Sequence, residues 1–199
     1  MRLRSLAVVA ALVLLAGCAG APTPEAPSFE SRIKVDTAQL RSAKATAGIE
    51  DCPRPADDAT SDLPDLTLPC LGGGRSVDLS TLAGPTVISL WAQWCGPCRR
   101  ELPYFQKLAD TGLVNVVGVD WKETSPSGAI ALLAETGATY PQLVDLDGRI
   151  SDHYRVVGLP GVLFVDGKGT VTFRAGEMRS YDELTGLVRD HTGVDVTGG

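Results

Sequence analysis

The chain has 199 residues, 44% of them hydrophobic and 21% charged, with a formal net charge of −6. This is long enough for one domain with a sizeable core plus extra segments, and the balance is that of an ordinary globular protein. The acidic excess, with no basic stripe, argues against nucleic acid as a partner, because phosphate binding needs clustered lysine and arginine.

Residues 1–17 read as a targeting segment. Arg2 and Arg4 precede an apolar run from Leu6 to Leu15, and small residues follow; this is the layout of a secretory signal peptide. The run is shorter than the roughly 20 apolar residues of a membrane span. "LLAGC" resembles a bacterial lipobox, which implies cleavage before Cys18 and a lipid on that cysteine. Export implies a compartment where disulfides persist. Residues 18–50 are expected to form a flexible tether: up to about Ser31 they are rich in alanine and proline without apolar periodicity, and "TAQLRSAKA" adds only a short helix-like pattern. The packed domain is expected over residues 51–194.

Within it, "LPDLTL" and "RSVDL" read as short strands around the turn Gly72–Gly74. No Lys-Ser/Thr follows those glycines, so a hairpin turn is favoured over a phosphate cradle. "TVISLWA", from Thr86 to Ala92, is β-branched and apolar behind Gly84-Pro85, the pattern of a buried strand. From Pro97 to about Asp110, Leu102, Phe105, Leu108 and Ala109 suit a helix. Pro97 fits its first turn, where a missing N–H is harmless, and Pro103 is expected to kink it. "LVNVVGVDW" (Leu113 to Trp121) is a second buried strand. "SPSGAIALLAETG" (Ser125 to Gly137) starts on Ser-Pro and ends on Gly, as helices do. "YPQLVDLD" is a short strand candidate. "GVLFVDGKGTVTFRAGE" reads as a hairpin turning at Asp166–Gly169. "SYDELTGLVRDHTG" closes as a helix, with Ser180 and Glu183 in capping-box spacing. Strand, helix, strand, then a hairpin and a helix, imply an α/β domain with a mixed central sheet flanked by helices.

The chemistry concentrates in "LWAQWCGPCRRELP", Leu90 to Pro103. Cys95 ends a strand-to-helix turn, where unpaired N–H groups and the helix dipole favour negative charge. That lowers a thiol's pKa, and the thiolate is the attacking form. Cys98 lies one turn further and deeper, placed to resolve a mixed disulfide, and Gly96-Pro97 is compact enough to let the sulfurs meet. A zinc site would need a second ligand pair, and the two histidines, His153 and His191, form none. A purely structural bridge across four residues would close little loop entropy.

"WAQWCGPC", the later "GLPG" at Gly158–Gly161 and "VLFVDGKGTV" resemble the thioredoxin superfamily. The lipobox, the added helix Ser125–Gly137 and "CRRELP" resemble its TlpA/ResA group of extracytoplasmic thiol-disulfide oxidoreductases, over about residues 60–190. The resemblance implies a thioredoxin-like fold with an N-terminal strand extension and an inserted helix. It implies Cys95 as attacking and Cys98 as resolving cysteine, and Glu101 as an acid that tunes them and moves protons. It makes Trp94, Gly96, Pro97, Leu159 and Pro160 the substrate-facing set, with Pro160 the family's cis-proline. No dissociable cofactor or metal is implied beyond the redox disulfide. The implied partners are protein thiols and disulfides, such as apocytochrome c thiols, a membrane electron donor, and the membrane itself through a lipid anchor on the extracytoplasmic face.

Two positions depart from relatives: Ser89 stands where thioredoxins carry a buried aspartate, and Leu159 where many have a β-branched residue. With Cys18 lipidated, four cysteines remain; pairing Cys95 with Cys98 leaves Cys52 with Cys70, expected as a structural bridge. Two other readings of the motif are a copper carrier using both thiols with His153, and a thiol peroxidase. No Thr two or three residues before Cys95 supports the latter.

Overall fold

All six residues of the strand β3 (Thr86–Trp91) are buried, so both of its faces must be covered. The computed structural model, which describes residues 32–55 and 61–197, places it at the centre of a five-stranded sheet. β4 (Asn115–Trp121) and β5 (Gln142–Asp145) continue the sheet in parallel on one side. β6 (Gly161–Val165) and β7 (Val171–Ala175) continue it antiparallel on the other. Parallel neighbours need a crossover; α2 (Gly96–Ala109) links β3 to β4, and α3 (Pro126–Thr136) links β4 to β5. The sheet is therefore mixed and flanked by helices, a thioredoxin-like α/β fold.

Side chains of a strand alternate between faces, and β3 shows what each face meets. Val87 and Trp91 pack with Leu102 and Phe105 of α2, Leu133 of α3 and Val188 of α5 (Tyr181–Thr192). Ile88 and Leu90 pack on the opposite side with Leu66, Leu68, Val77 and Leu79. That second layer is the small antiparallel pair β1 (Thr67–Leu68) and β2 (Val77–Asp78), joined by a turn in which Gly72, Gly73 and Gly74 all have positive φ. A four-residue helix, α4 (Ser151–Tyr154), carries no predicted pattern and is too short to show one.

Local signals set the helix ends. Ser125 caps α3 by accepting the Gly128 N–H, and Gly137 ends it in the left-handed region, both as read from the sequence. Ser180 caps α5 through the Glu183 N–H. Only half of the expected capping box forms, because the Glu183 carboxylate takes the Arg179 N–H and the Arg174 guanidinium instead. α2 runs through Pro103 as one helix.

The expectation of a flexible tether over residues 18–50 needs correcting. Its start, like the signal segment 1–17 and Cys18, lies outside the described residues, but residues 33–50 are part of the fold. Thr37 caps α1 (Ala38–Thr46), and Val35, Leu40 and Ile49 are buried in the helix-side core. Backbone bonds fasten both flanks, Gly72 N–H to Val35 O at 2.9 Å and Glu50 N–H to Thr139 O at 2.7 Å. The segment lacks a long apolar stripe because three residues suffice to dock it.

If α1 is a packed element, Leu40→Ala should destabilise the protein by about 2–5 kcal/mol, the usual result of emptying a buried leucine site. Urea denaturation measures this; a free tether would leave the midpoint unchanged.

Candidate active site

β3 ends at Trp91, and four residues later Cys95 occupies the N-cap of α2. Its Sγ accepts the Cys98 N–H at 3.2 Å, one of the four donors a helix start leaves unpaired. Gly96 and Pro97 fill the first turn without losing an internal hydrogen bond. Cys95 and Cys98 are joined as a disulfide with Cα atoms 5.3 Å apart. Both are buried, Cys98 the more deeply, at 1% exposure against 5%.

The sheet register brings the downstream proline to the same end. Leu90 pairs with Gly161, so Pro160 lies beside Trp91 at the C-terminal end of β3. The Leu159–Pro160 bond is cis. Leu159 is half-buried against the core cluster that contains both cysteines. Trp94 is half-exposed; its ring lies against Trp121 and its Nε1 donates to the Lys122 carbonyl at 3.3 Å. Val157, three residues before Pro160, is 95% exposed, an apolar side chain offered to solvent beside this loop.

Among the carboxyl groups buried around this end of the sheet are Glu101, Asp120 and Glu123. Glu101 is 2% exposed, three residues after Cys98 on the same buried stripe of α2 as Leu102, Phe105 and Leu108. Burial pushes its pKa up to about 8, against the opposing effect of the Met178 N–H, which donates to its Oε1; Glu177 adds to the rise. The sequence offered this position only by resemblance, although its i, i+3, i+4, i+7 spacing with Cys98, Leu102, Phe105 and Leu108 marks the buried face.

Asp120 is the second. It is fully buried on β4, in register with Trp91, and neither carboxyl oxygen has a hydrogen-bond donor. Desolvation first, then the neighbouring Glu123, raise its pKa well above the usual carboxylate range. Glu123, also buried, accepts the N–H groups of Gln93, Thr124 and Ser125 at 3.1, 2.7 and 2.6 Å. It thereby ties the active-site loop to the start of α3. Sequence reasoning missed this pair; an acid inside the apolar run of a fully buried strand was the available signal.

Ser89, which stands where thioredoxins carry an aspartate, is buried with its hydroxyl 3.4 Å from Tyr140 Oη. The polar chain continues through the Tyr140 carbonyl, which accepts from Gln142, to Trp91, whose Nε1 donates to Gln142 at 2.9 Å. Gly118 makes room for it: a Cβ there would sit 1.8 Å from Gln142 Oε1. The core under the cysteines is thus neutral and hydrogen-bonded, and the acids stand to its sides.

Residues 59–174 match the AhpC/TSA family. The chain belongs to the AhpC/TSA family. Among its AhpC/TSA-type relatives, the thiol:disulfide interchange protein DsbE of Pseudomonas fluorescens is 34% identical over 54% of this chain and 61% of that protein. CycY of Rhizobium leguminosarum, another thiol:disulfide interchange protein, is 31% identical over 76% of this chain and 75% of its own length. The structure of MTB DsbF in mixed oxidised and reduced forms superposes with a TM-score of 0.58, at 31% identity, covering 64% of this chain and 96% of that one. The chain spans about three fifths of the length of the DsbE relative.

His153 is exposed on α4, and His191 lies against the Phe164 ring. Among the described residues, no group of three His, Cys, Asp or Glu side chains is arranged to hold a metal ion.

The raised acids carry a stability signature. Glu101 titrates near its ordinary 4.5 when unfolded and near 8 when folded. Between those values the folded chain keeps a proton that the unfolded chain has released, so its contribution to stability falls as pH rises. Glu101→Gln should match wild type near pH 4 and exceed it increasingly toward pH 8, and Asp120→Asn should show the same trend. Urea denaturation at pH 4, 6 and 8 tests both; a gain equal at all three would mean the acids are ionised in the fold.

Proposed function

We propose that this protein is an extracytoplasmic, membrane-tethered thiol-disulfide oxidoreductase that reduces protein disulfides through Cys95 and Cys98. The observation that carries this reading is the placement of Cys95 at the N-cap of α2, with Cys98 one turn deeper and a cis-proline at the same sheet end. Relatives bearing the name thiol:disulfide interchange protein support it.

In the reduced state the Cys95 thiolate, favoured by the helix start, attacks one sulfur of a substrate disulfide. The substrate's other sulfur leaves as a thiolate, and a mixed disulfide remains on Cys95. Cys98 then gives up its proton and attacks Cys95 Sγ, releasing the second substrate thiolate and closing the Cys95–Cys98 bond. Two electrons pass to the substrate. Glu101 follows Cys98 by three residues on the same buried face, where side chains are neighbours. With a pKa near 8 it exchanges protons near neutral pH, as a general acid–base for Cys98. Trp94, Val157, Leu159 and Pro160 form the apolar rim on which a substrate chain docks. Apocytochrome c thiols are the proposed substrate class, a membrane dithiol protein the electron donor, and lipidated Cys18 the anchor.

Cys98→Ser should accumulate mixed disulfides with protein substrates, whereas Cys95→Ser should capture nothing; non-reducing gels with mass spectrometry decide, and the opposite pattern would reverse the two roles. Glu101→Gln should remove the limb near pH 8 from the pH–rate profile of the second step, the closure of Cys95–Cys98. A profile that keeps that limb would exclude Glu101 as the proton carrier. Fatty-acid labelling of the full chain should be lost in Cys18→Ala, and a wild type without label would remove the lipid anchor from this reading.

A further inference from the structure

The second disulfide, Cys52–Cys70, has a cation built against it. Cys52 and Cys70 are bonded with Cα atoms 5.9 Å apart. Lys44 of α1 is only 5% exposed, and its Nζ donates to the Gly73 carbonyl at 3.0 Å, the Asp51 carboxylate at 3.1 Å and Cys70 Sγ at 3.3 Å. Three acceptors use all three N–H groups of an ammonium ion.

That arrangement suits a thiolate better than a disulfide. A neutral disulfide sulfur is a weak acceptor and gives little back for desolvating a lysine. Asp51 does not fill the gap: its side chain is 93% exposed, and exposed partners are strongly screened. The turn leaves room for the lysine, since a Cβ on Gly72 would sit 2.8 Å from Lys44 Cβ and 3.1 Å from its Cδ. The other charged groups around the site are the Asp36–Arg41 pair beyond Gly73 and Arg75, which follows Gly74 in the chain.

We propose that Cys52–Cys70 is a second redox-active pair, in which Cys70 is the leaving sulfur and Lys44 receives its negative charge. Cys52 is the more accessible partner, at 7% exposure against 2%. One thiolate of an incoming dithiol, of the reduced CxxC class, attacks Cys52 Sγ. The Cys52–Cys70 bond breaks and its electron pair goes to Cys70, which remains a thiolate against Lys44. The second thiol of the dithiol attacks the mixed disulfide, closes the dithiol's own disulfide and releases Cys52, which takes up a proton. The dithiol loses two electrons and two protons; one proton ends on Cys52 and the other in solvent. This reading goes beyond the structural bridge expected from the sequence and stands independently of the chemistry at Cys95.

The test uses the full chain carrying Cys95→Ser and Cys98→Ser, so that only the second pair titrates. It is equilibrated with mixtures of reduced and oxidised dithiothreitol between pH 6 and 8, and free thiols are counted by alkylation and mass spectrometry. Dithiothreitol keeps its protons in this range. If both cysteines take up a proton, the reduced-to-oxidised ratio at a fixed buffer ratio is independent of pH. If Cys70 stays a thiolate, the ratio rises with pH, reaching tenfold per unit. Lys44→Met should lower the ratio at pH 7 at least tenfold, about 30 mV, and flatten its pH dependence, while Lys44→Arg should retain both. A wild-type ratio that ignores pH, a pair that stays oxidised in every buffer, or a folded Lys44→Met protein with an unchanged ratio overturns the proposal. Should Lys44→Met fail to fold, the wild-type pH dependence decides alone.

Discussion

The N–H of Cys98 points at the sulfur of Cys95 because β3 stops at Trp91 and α2 starts at Gly96. A helix start leaves donors unpaired, and here the cap is a sulfur in place of the usual hydroxyl or carboxylate oxygen. That one substitution turns a routine cap into a place where negative charge on sulfur is favoured. It works only if the strand before it is rigid. β3 supplies this by being buried on both faces and paired on both edges. The same pairing delivers the other parts: β6 brings Pro160 beside Trp91, and β4 brings Asp120 beside it from the other edge.

The acids near this sheet end are arranged by solvation more than by pairing. An ionised carboxylate is costly to bury without donors. Glu101 has one backbone donor and Asp120 has none, and both therefore hold their protons further up the pH scale. Glu123 differs in having three backbone donors, and it uses them to fasten Gln93 to the start of α3. A neutral Ser89–Tyr140 contact occupies the position of the absent aspartate. In the proposed mechanism, proton exchange during turnover is thereby shifted from the strand under the cysteines to the helix that carries them.

How much of this the sequence reveals follows from the range of each interaction. β3, β4, α2 and α3 are legible because their signals are local: β-branched runs, a capping serine, a closing glycine. The CxxC motif is legible for the same reason. α1 is legible only as a short helix-like pattern and not as a packed element, since it has one buried leucine and a lysine that reads as surface. Lys44 is buried only because Gly73 and Cys70, 29 and 26 residues away, come to meet it. Asp120 was passed over because strand periodicity assigns it to a run without saying that both faces of that run are covered. Glu101 lay on a readable helical stripe, and resemblance supplied what periodicity could have.

The two disulfides pack into different cores, and Cys70 lies at the β5 edge of the sheet, its backbone bridged to Leu143. Cys95 and Cys98 pack into the core beneath the helices, while Cys52 and Cys70 pack into the layer formed with β1 and β2. Thiol–disulfide exchange requires one sulfur to attack another directly, and sulfurs buried in two separate cores do not meet in the folded chain. Electrons moving between the pairs must therefore travel on a third dithiol or on a second copy of the chain. Separation also lets each pair be tuned by its own surroundings. In the proposed mechanisms a helix start and Glu101 act on one pair and Lys44 on the other, so a change at either site leaves the groups around the other in place.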